Sequence, residues 1–299
     1  MVVPADERFP DGPRDPVRNY LVPSNPRLLR LIEEYRTIPC GMHSMWETWP
    51  DRVDLQNFRR DGDYLGQLEN TDAAKYRKTF DYVAAADRCD YLIRFREDEL
   101  FGVVSFEIGG RPITRDLLDS VLEISFLRRV LGLMRSDEVK VLDVGAGYGR
   151  FAHRFTAAFP SSYVYCVDAV PQSTFLCEFY TQFREFSKRA RAVSLGRLDE
   201  IPAGIDLAVN IHSWSECTLE SINFWLDRIV ALGTRYLFVV PHTAEGLSME
   251  RDRSGICFWP TIEAHGFDLV TTAPKYVRME DQDGGIFPSS YFLFERRKV

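Results

Sequence analysis

The sequence predicts an α/β protein built on a mostly parallel sheet, and two observations carry that expectation. From Val139 onward, short apolar runs (VKVLDV, SYVYCVD, IDLAVNI, RYLFVV, FDLVTTA and SYFLFERR) alternate with helical stretches near 149–159, 171–188, 218–232 and 255–265. Strands separated by ~10–15-residue helical patterns form βαβ units, whose strands pair in parallel. The second observation is the glycine-rich turn DVGAGYGRF, which joins the first of these runs to a helix.

Upstream the texture differs. Residues 1–26 carry six prolines among polar residues and are expected to be an extended, poorly ordered arm. Leu28, Leu29, Ile32 and Tyr35 then repeat with a helical period that ends before Pro39. Residues 40–68, which include MWETWP, read as irregular. A second helical run follows Asn70 (DAAKYRKTFDYVAAADRCDYLIRF), and LFGVVSFEIGG reads as a short β piece. RDLLDSVLEISFLRRVLGLM is a strong amphipathic helix leading to the glycine turn. These changes divide the chain into an N-terminal arm and helical lid region, 1–112, and a ligand-binding domain, 113–299.

At ~150 residues per domain, 299 residues allow two domains or one large one. A composition of 45% hydrophobic and 27% charged residues excludes a disordered tail, a collagen-like fibre and a disulfide scaffold. A net charge of −7 without long basic runs argues against specific nucleic-acid binding. No stretch approaches ~18 consecutive apolar residues, so no membrane span is expected. The first residues carry neither a basic start nor an apolar core, as a secretory signal would. Six cysteines without a CxxC pair read as reduced thiols, and the expectation is a cytoplasmic protein.

The turn places Gly145, Gly147 and Gly149 where the backbone bends tightly and approaches a ligand with no Cβ in the way. Backbone N–H groups at the helix start then face that ligand. Its spacing is G-x-G-x-G. A dinucleotide fingerprint wants its third glycine one place later, where Arg150 stands. Asp143 sits just before the first glycine. A carboxylate there would repel a pyrophosphate but attract a ligand carrying ammonium and sulfonium charges. Asp168 ends the next strand and can accept both hydroxyls of a ribose. The spacing and Asp143 favour S-adenosylmethionine, and Asp168 strengthens the case.

DVGAGYGRF followed by the acidic strand end resembles a class I S-adenosylmethionine-dependent methyltransferase over about residues 115–299. The resemblance implies a Rossmann-like, mostly parallel seven-stranded sheet whose last strand, SYFLFERR, is antiparallel. It further implies cofactor contacts from Asp143, Gly145, Ala146, Gly147, Tyr148, Gly149, Asp168, Ala169 and Asn210. Arg115 and Ser120 would close over the methionine end, and Leu198 or Asp199 would lie near the adenine.

Two further segments resemble a group of sugar O-methyltransferases: the helix D-L-x-x-S-x-x-E, from Asp116 to Glu123, and His212-Ser213-Trp214-Ser215-Glu216 after the fourth strand. Size and layout are similar to the mannoside O-methyltransferases of methylmannose polysaccharide biosynthesis. A sugar hydroxyl is weakly acidic, so a general base or a metal would help its transfer chemistry. Ligands in open α/β sheets bind beyond the carboxyl ends of the strands. His242, after the fifth strand, is therefore the candidate base; His212 and Glu216 are its catalytic companions.

Glu216 and His242 could also ligate Mg2+, although no tight metal-binding spacing is present. Trp46, Trp49, Trp214 and Ser213 are candidates to contact the sugar. A homodimer is expected from family habit. Competing readings are a methyltransferase acting on a polyketide or phenol, and a cofactor-binding partner protein without turnover.

Overall fold

A computed structural model describes residues 15–38, 53–60, 73–278, 281 and 284–298. Trp46 and Trp49 lie outside the described residues. Within the arm expected to be extended, residues 15–20 are helical instead.

The N-terminal part consists of α1 (Asp15–Tyr20), α2 (Pro26–Tyr35), α3 (Ala73–Ala86) and α4 (Tyr91–Arg94). Asn25 caps α2 by accepting from Arg27 N, and Pro26 fits the first turn, where its missing N–H leaves no bond unmade. The long helical run expected after Asn70 breaks between α3 and α4. There the Asp87 side chain accepts from the backbone N–H of Cys89 and Leu92, and Asp90 turns left-handed at φ 55°. Strands β1 (Ser105–Ile108) and β2 (Arg111–Thr114) form an antiparallel hairpin. Its two-residue turn, Gly109-Gly110, has φ of +63° and +73°, which glycine adopts without steric cost.

The hairpin runs directly into α5 (Arg115–Leu131), capped by Thr114, whose hydroxyl accepts from Leu117 N. Residues 117–124 of α5 are buried all round, Asp119, Ser120 and Glu123 included. A helix buried on every side must give its polar residues partners inside the protein. Glu123 takes two bonds from Arg150, and Asp119 pairs with Arg115 and Lys275.

The remainder alternates as expected: β3 (Lys140–Val144), α6 (Arg150–Ala158), β4 (Tyr163–Val167), α7 (Pro171–Phe183), β5 (Ala190–Ala192), β6 (Leu207–Ile211), α8 (Leu219–Ala231), β7 (Tyr236–Val240), α9 (Trp259–Ala264), β8 (Phe267–Pro274) and β9 (Ser290–Arg296). Strand order is β5-β4-β3-β6-β7-β9-β8. β3 pairs in parallel with β4 and β6, while β9 is antiparallel to both β7 and β8. This is the Rossmann-like methyltransferase fold, with seven strands and an antiparallel last strand. The inner strands are nearly continuous apolar runs because both faces are covered. Among the described residues, no helix is long and apolar enough to cross a membrane, and Cys89, Cys166, Cys177, Cys217 and Cys257 are free thiols.

The N-terminal part is tied to the sheet domain by buried charge. Arg59, 2% exposed, pairs with Glu97 at 2.6 Å and Asp98 at 2.8 Å. Glu97 also takes Arg154 at 2.8 Å, and Asp98 takes Arg184. Arg27 on α2 pairs with Glu178 on α7.

Candidate active site

Chain order reverses in the sheet between β3 and β6, and the crevice beyond their carboxyl ends is where such folds bind ligands. A cleft opens there. The turn after β3 is its floor: Gly145 N and Ala146 N donate to Val167 O, at 2.9 and 3.1 Å. Gly145 has φ +75°, and a Cβ on it would meet Ser213 Oγ at 2.0 Å. Gly147, at φ +56°, has nothing within 4 Å of its would-be Cβ, so there the backbone conformation alone calls for glycine.

Asp143 lines the cleft yet is only 3% exposed, and its Oδ2 makes no hydrogen bond. Burial, reinforced by the charges of Asp168 and Glu123, pushes its carboxyl up to about 7 against the pull of Arg150. Asp168 is bonded on both oxygens, from Gly147 N and Val170 N at 2.8 Å each. Its carboxyl is raised to about 6 by burial. Two desolvated carboxylates beside a glycine turn favour a cationic, hydroxyl-bearing ligand. The orphaned Asp143 oxygen is what the ammonium of S-adenosylmethionine would satisfy, so the residues present fit that cofactor.

The opposite wall comes from the turn after β6. His212 has φ +69°, a conformation that costs a non-glycine residue energy and recurs at functional sites. It is held by its own N–H to Val240 O at 2.7 Å. The ring lines the cleft, and its Nδ1 is buried without a hydrogen bond. Burial and then Arg115 drive the imidazole well below its ordinary range, so at neutral pH it is an uncharged acceptor. Phe287, itself left-handed at φ 44°, stands edge-on to His212 at 4.8 Å, with the Arg115 guanidinium 4.6 Å from its ring centre.

Asp143, Gly145, Ala146, Gly147, Tyr148, Asp168, Ala169, Arg115, His212, Ser213 and Glu216 all line this cleft. The other expected residues that are described do not. His242 stands behind the wall, its Nε2 3.5 Å from Glu216 Oε1 and its backbone N–H on Ser215 Oγ. Asn210 is 1% exposed and braces the turn, donating to Val144 O and Ser213 Oγ while accepting from Trp214 N. Trp214 is buried against Phe258. Ser120 donates to Asp116 O within α5, and Gly149 caps α6. Leu198 is buried, and Asp199 points outward to Arg228. Among the described residues, no three His, Cys, Asp or Glu side chains gather as a metal ion would need. The Glu216–His242 pair offers a single carboxylate and an imidazole nitrogen, a poor match for the oxygen ligands Mg2+ prefers.

Sequence reasoning missed Phe58, Arg59, Arg60 and Asp119, which also line the cleft. Only Asp119 carried a signal, as the i+4 partner of Arg115 on one helix face.

No family model and no curated protein matches the chain. Among solved structures it is similar to the magnesium protoporphyrin IX methyltransferase ChlM of Synechocystis PCC 6803 with bound S-adenosylmethionine, at 13% identity over 76% of this chain and 100% of that one, TM-score 0.44. The cyclase SpnF shows 14% identity over 76% and 94%, TM-score 0.47. An S-adenosylmethionine-dependent methyltransferase from Aquifex aeolicus shows 12% identity over 57% and 88%, TM-score 0.41. At these identities the chemistry is read from the cleft itself.

Proposed function

We propose that this chain is an S-adenosylmethionine-dependent O-methyltransferase acting on a sugar hydroxyl, of a mannoside or small oligosaccharide in polysaccharide biosynthesis. One observation carries the reading: a carboxylate oxygen of Asp143 and Nδ1 of His212, both buried and without a hydrogen bond, belong to side chains that line one cleft. When bound, S-adenosylmethionine supplies an electrophilic methyl group on a sulfonium centre. Asp143 binds its ammonium, and Asp168, already fixed by Gly147 and Val170, accepts the ribose hydroxyls with its remaining lone pairs.

His212 Nδ1 takes the acceptor hydroxyl's proton as the oxygen–carbon bond forms, in place of the more distant His242. Glu216, 3.5 Å from His242, accepts from a neighbouring sugar hydroxyl and, as an anion on the same wall, offsets the charge that His212 acquires. Polar groups on the acceptor wall, His212, Ser213 and Glu216, suit a polyhydroxylated acceptor better than an apolar one. The protein acts in the cytoplasm as a homodimer in this reading.

The test is transfer of labelled methyl from S-adenosylmethionine to mannosides, other hexosides, catechols and a protein extract, with and without EDTA. Label on a mannoside or hexoside, insensitive to EDTA, is expected. Label on catechols alone would replace the sugar reading with a phenol one. Cofactor binding with no label on any acceptor would leave a binding protein.

A further inference from the structure

The two ends of the connection between β8 and β9 are pinned together beside His212. Lys275, directly after β8, donates from its backbone N to Ser289 O at 2.8 Å and from its Nζ to Ile286 O and Phe287 O at 3.0 Å each. Ile286 O also takes the Tyr276 hydroxyl at 2.6 Å, and Ile286 N donates to Thr79 Oγ1 on α3 at 3.0 Å. The backbone that carries Phe287 is thus fixed by several bonds at once.

The same lysine reaches the Phe287 side chain by a second route. Its ammonium pairs with Asp119 at 2.5 Å, Asp119 Oδ2 accepts from Arg115 Nε at 3.1 Å, and the Arg115 guanidinium lies 4.6 Å from the centre of the Phe287 ring. Lys275, Asp119, Arg115 and Phe287 therefore close a circuit that holds both the backbone and the ring of Phe287. Lys275 and Asp119 are buried, and opening a buried ion pair is costly, so the circuit resists being broken.

What the circuit holds is one strained residue against another. Phe287 at φ +44° and His212 at φ +69° both occupy the left-handed region, which a non-glycine residue keeps only where its surroundings over-determine it. Their rings meet with centres 4.8 Å apart and planes inclined by 86°; Phe287 makes a similar contact with His242, at 5.8 Å and 87°. His212 lines the cleft and Phe287 does not. Since Nδ1 of His212 has no hydrogen bond, ring packing rather than a bond at that nitrogen sets the rotation of the imidazole. A base displaced by ~1 Å can lose ~10²-fold in rate, so what sets that rotation matters to the chemistry.

Resting on the methyltransferase reading above, we infer that Phe287 is a positioning residue of the reaction: clamped by Lys275 and Arg115, its ring fixes the orientation in which His212 meets the acceptor. Without that ring the imidazole turns and water reaches it. The charged and titratable groups around His212 are Arg115 on α5, Arg150 on α6, His242 after β7 and Lys275 after β8, with Glu216 on the same wall 3.5 Å from His242. The four basic groups oppose a proton on His212, and a ring freed from them and hydrated takes one more easily.

The experiment is NMR titration of the full chain labelled with 15N in its histidine rings, as wild type, Phe287→Leu and Phe287→Ala, with the His212 signals assigned by their loss in His212→Gln. Rates of methyl transfer to methyl α-mannoside and calorimetric binding of S-adenosylhomocysteine are measured on the same proteins. Wild-type His212 is expected in one tautomer, with its proton on Nε2, and uncharged through neutrality. In the variants the two tautomers should mix and the titration midpoint of His212 should move upward, more in Phe287→Ala than in Phe287→Leu. The rate at saturating substrates should fall ~10-fold in Phe287→Leu and further in Phe287→Ala, with S-adenosylhomocysteine affinity within about threefold of wild type.

Unchanged His212 signals in Phe287→Leu overturn the inference, whatever the rate does, because a merely structural role moves melting temperature and rate without moving the tautomer. An undiminished rate in Phe287→Leu overturns it as well. The underlying reading fails separately: wild-type protein that binds no S-adenosylhomocysteine sinks the methyltransferase, and a fully active His212→Gln sinks the base. Neither result depends on Phe287.

Discussion

His242 stands behind His212, with ring centres 5.4 Å apart and planes inclined by 38°. Only the front ring lines the cleft; the rear one reaches Glu216. Two histidines after neighbouring strands thus divide into one on the cleft wall and one beside Glu216. Phe287 stands edge-on to both rings.

Replacing His212 by glutamine is expected to lower turnover ~10²-fold or more while S-adenosylhomocysteine affinity stays within about twofold. His242→Gln removes support and leaves the proton acceptor in place, so a loss closer to ~10-fold is expected. Steady-state rates beside calorimetric binding check both, and an undiminished rate in His212→Gln would discard the base.

The pH profile follows from two groups. The His212 pKa is held well below its ordinary range, so turnover at saturating cofactor should be flat over about one and a half pH units around neutrality. Asp143, raised to about 7, must ionise to bind an ammonium, so S-adenosylhomocysteine affinity should climb as pH rises through that value. Binding measured at pH 7 in buffers of different ionisation enthalpy should show proton release.

Asp143→Asn separates stability from function. A carboxyl raised by burial holds its proton in the folded state after the unfolded chain has lost it. Its contribution to stability is therefore full below the ordinary carboxylate range, falls as pH rises, and is gone above about 7. The asparagine variant should melt several degrees above the wild type at pH 8, by a margin that shrinks toward pH 4, and should fail to bind S-adenosylhomocysteine.

Gly145→Ala and Gly147→Ala should differ. Both strain a positive φ, but only at Gly145 does the new methyl strike Ser213, at 2.0 Å from its Oγ. Roughly 1 kcal/mol of destabilisation is expected at Gly147 and several times that at Gly145, read from denaturant midpoints.

Lys275→Met leaves Asp119 buried with a single cation, and Ile286 O and Phe287 O each lose a donor at 3.0 Å. Breaking a buried pair costs about 3–5 kcal/mol, and a melting temperature lower by roughly 10 °C is expected. The added change Asp119→Leu should recover part of that loss.

The alternation of apolar runs made the sheet legible, and the DVGAGYGRF turn located the cleft. Local pattern did not show β5, whose Ala190-Arg191-Ala192 is too short and too weakly β-forming to announce a strand. Nor did it show that RPIT would pair back across two glycines. Nothing in the local pattern marks Arg59 or Glu97 for burial, because their burial depends on partners distant in sequence. Asp199 was misplaced because the 3-10 turn over Leu195–Glu200 carries it outward. Which of two histidines turns inward is decided by the strained backbone at His212, a property no spacing encodes.

β9 slots between β7 and β8, and among the described residues β8 pairs with β9 alone. On a ribosome, β7 and β8 therefore emerge before the strand that joins them. Until residues 290–296 have cleared the exit tunnel, that half of the sheet presents two open edges. A nascent chain stalled there is the form of this protein a chaperone would have most reason to hold.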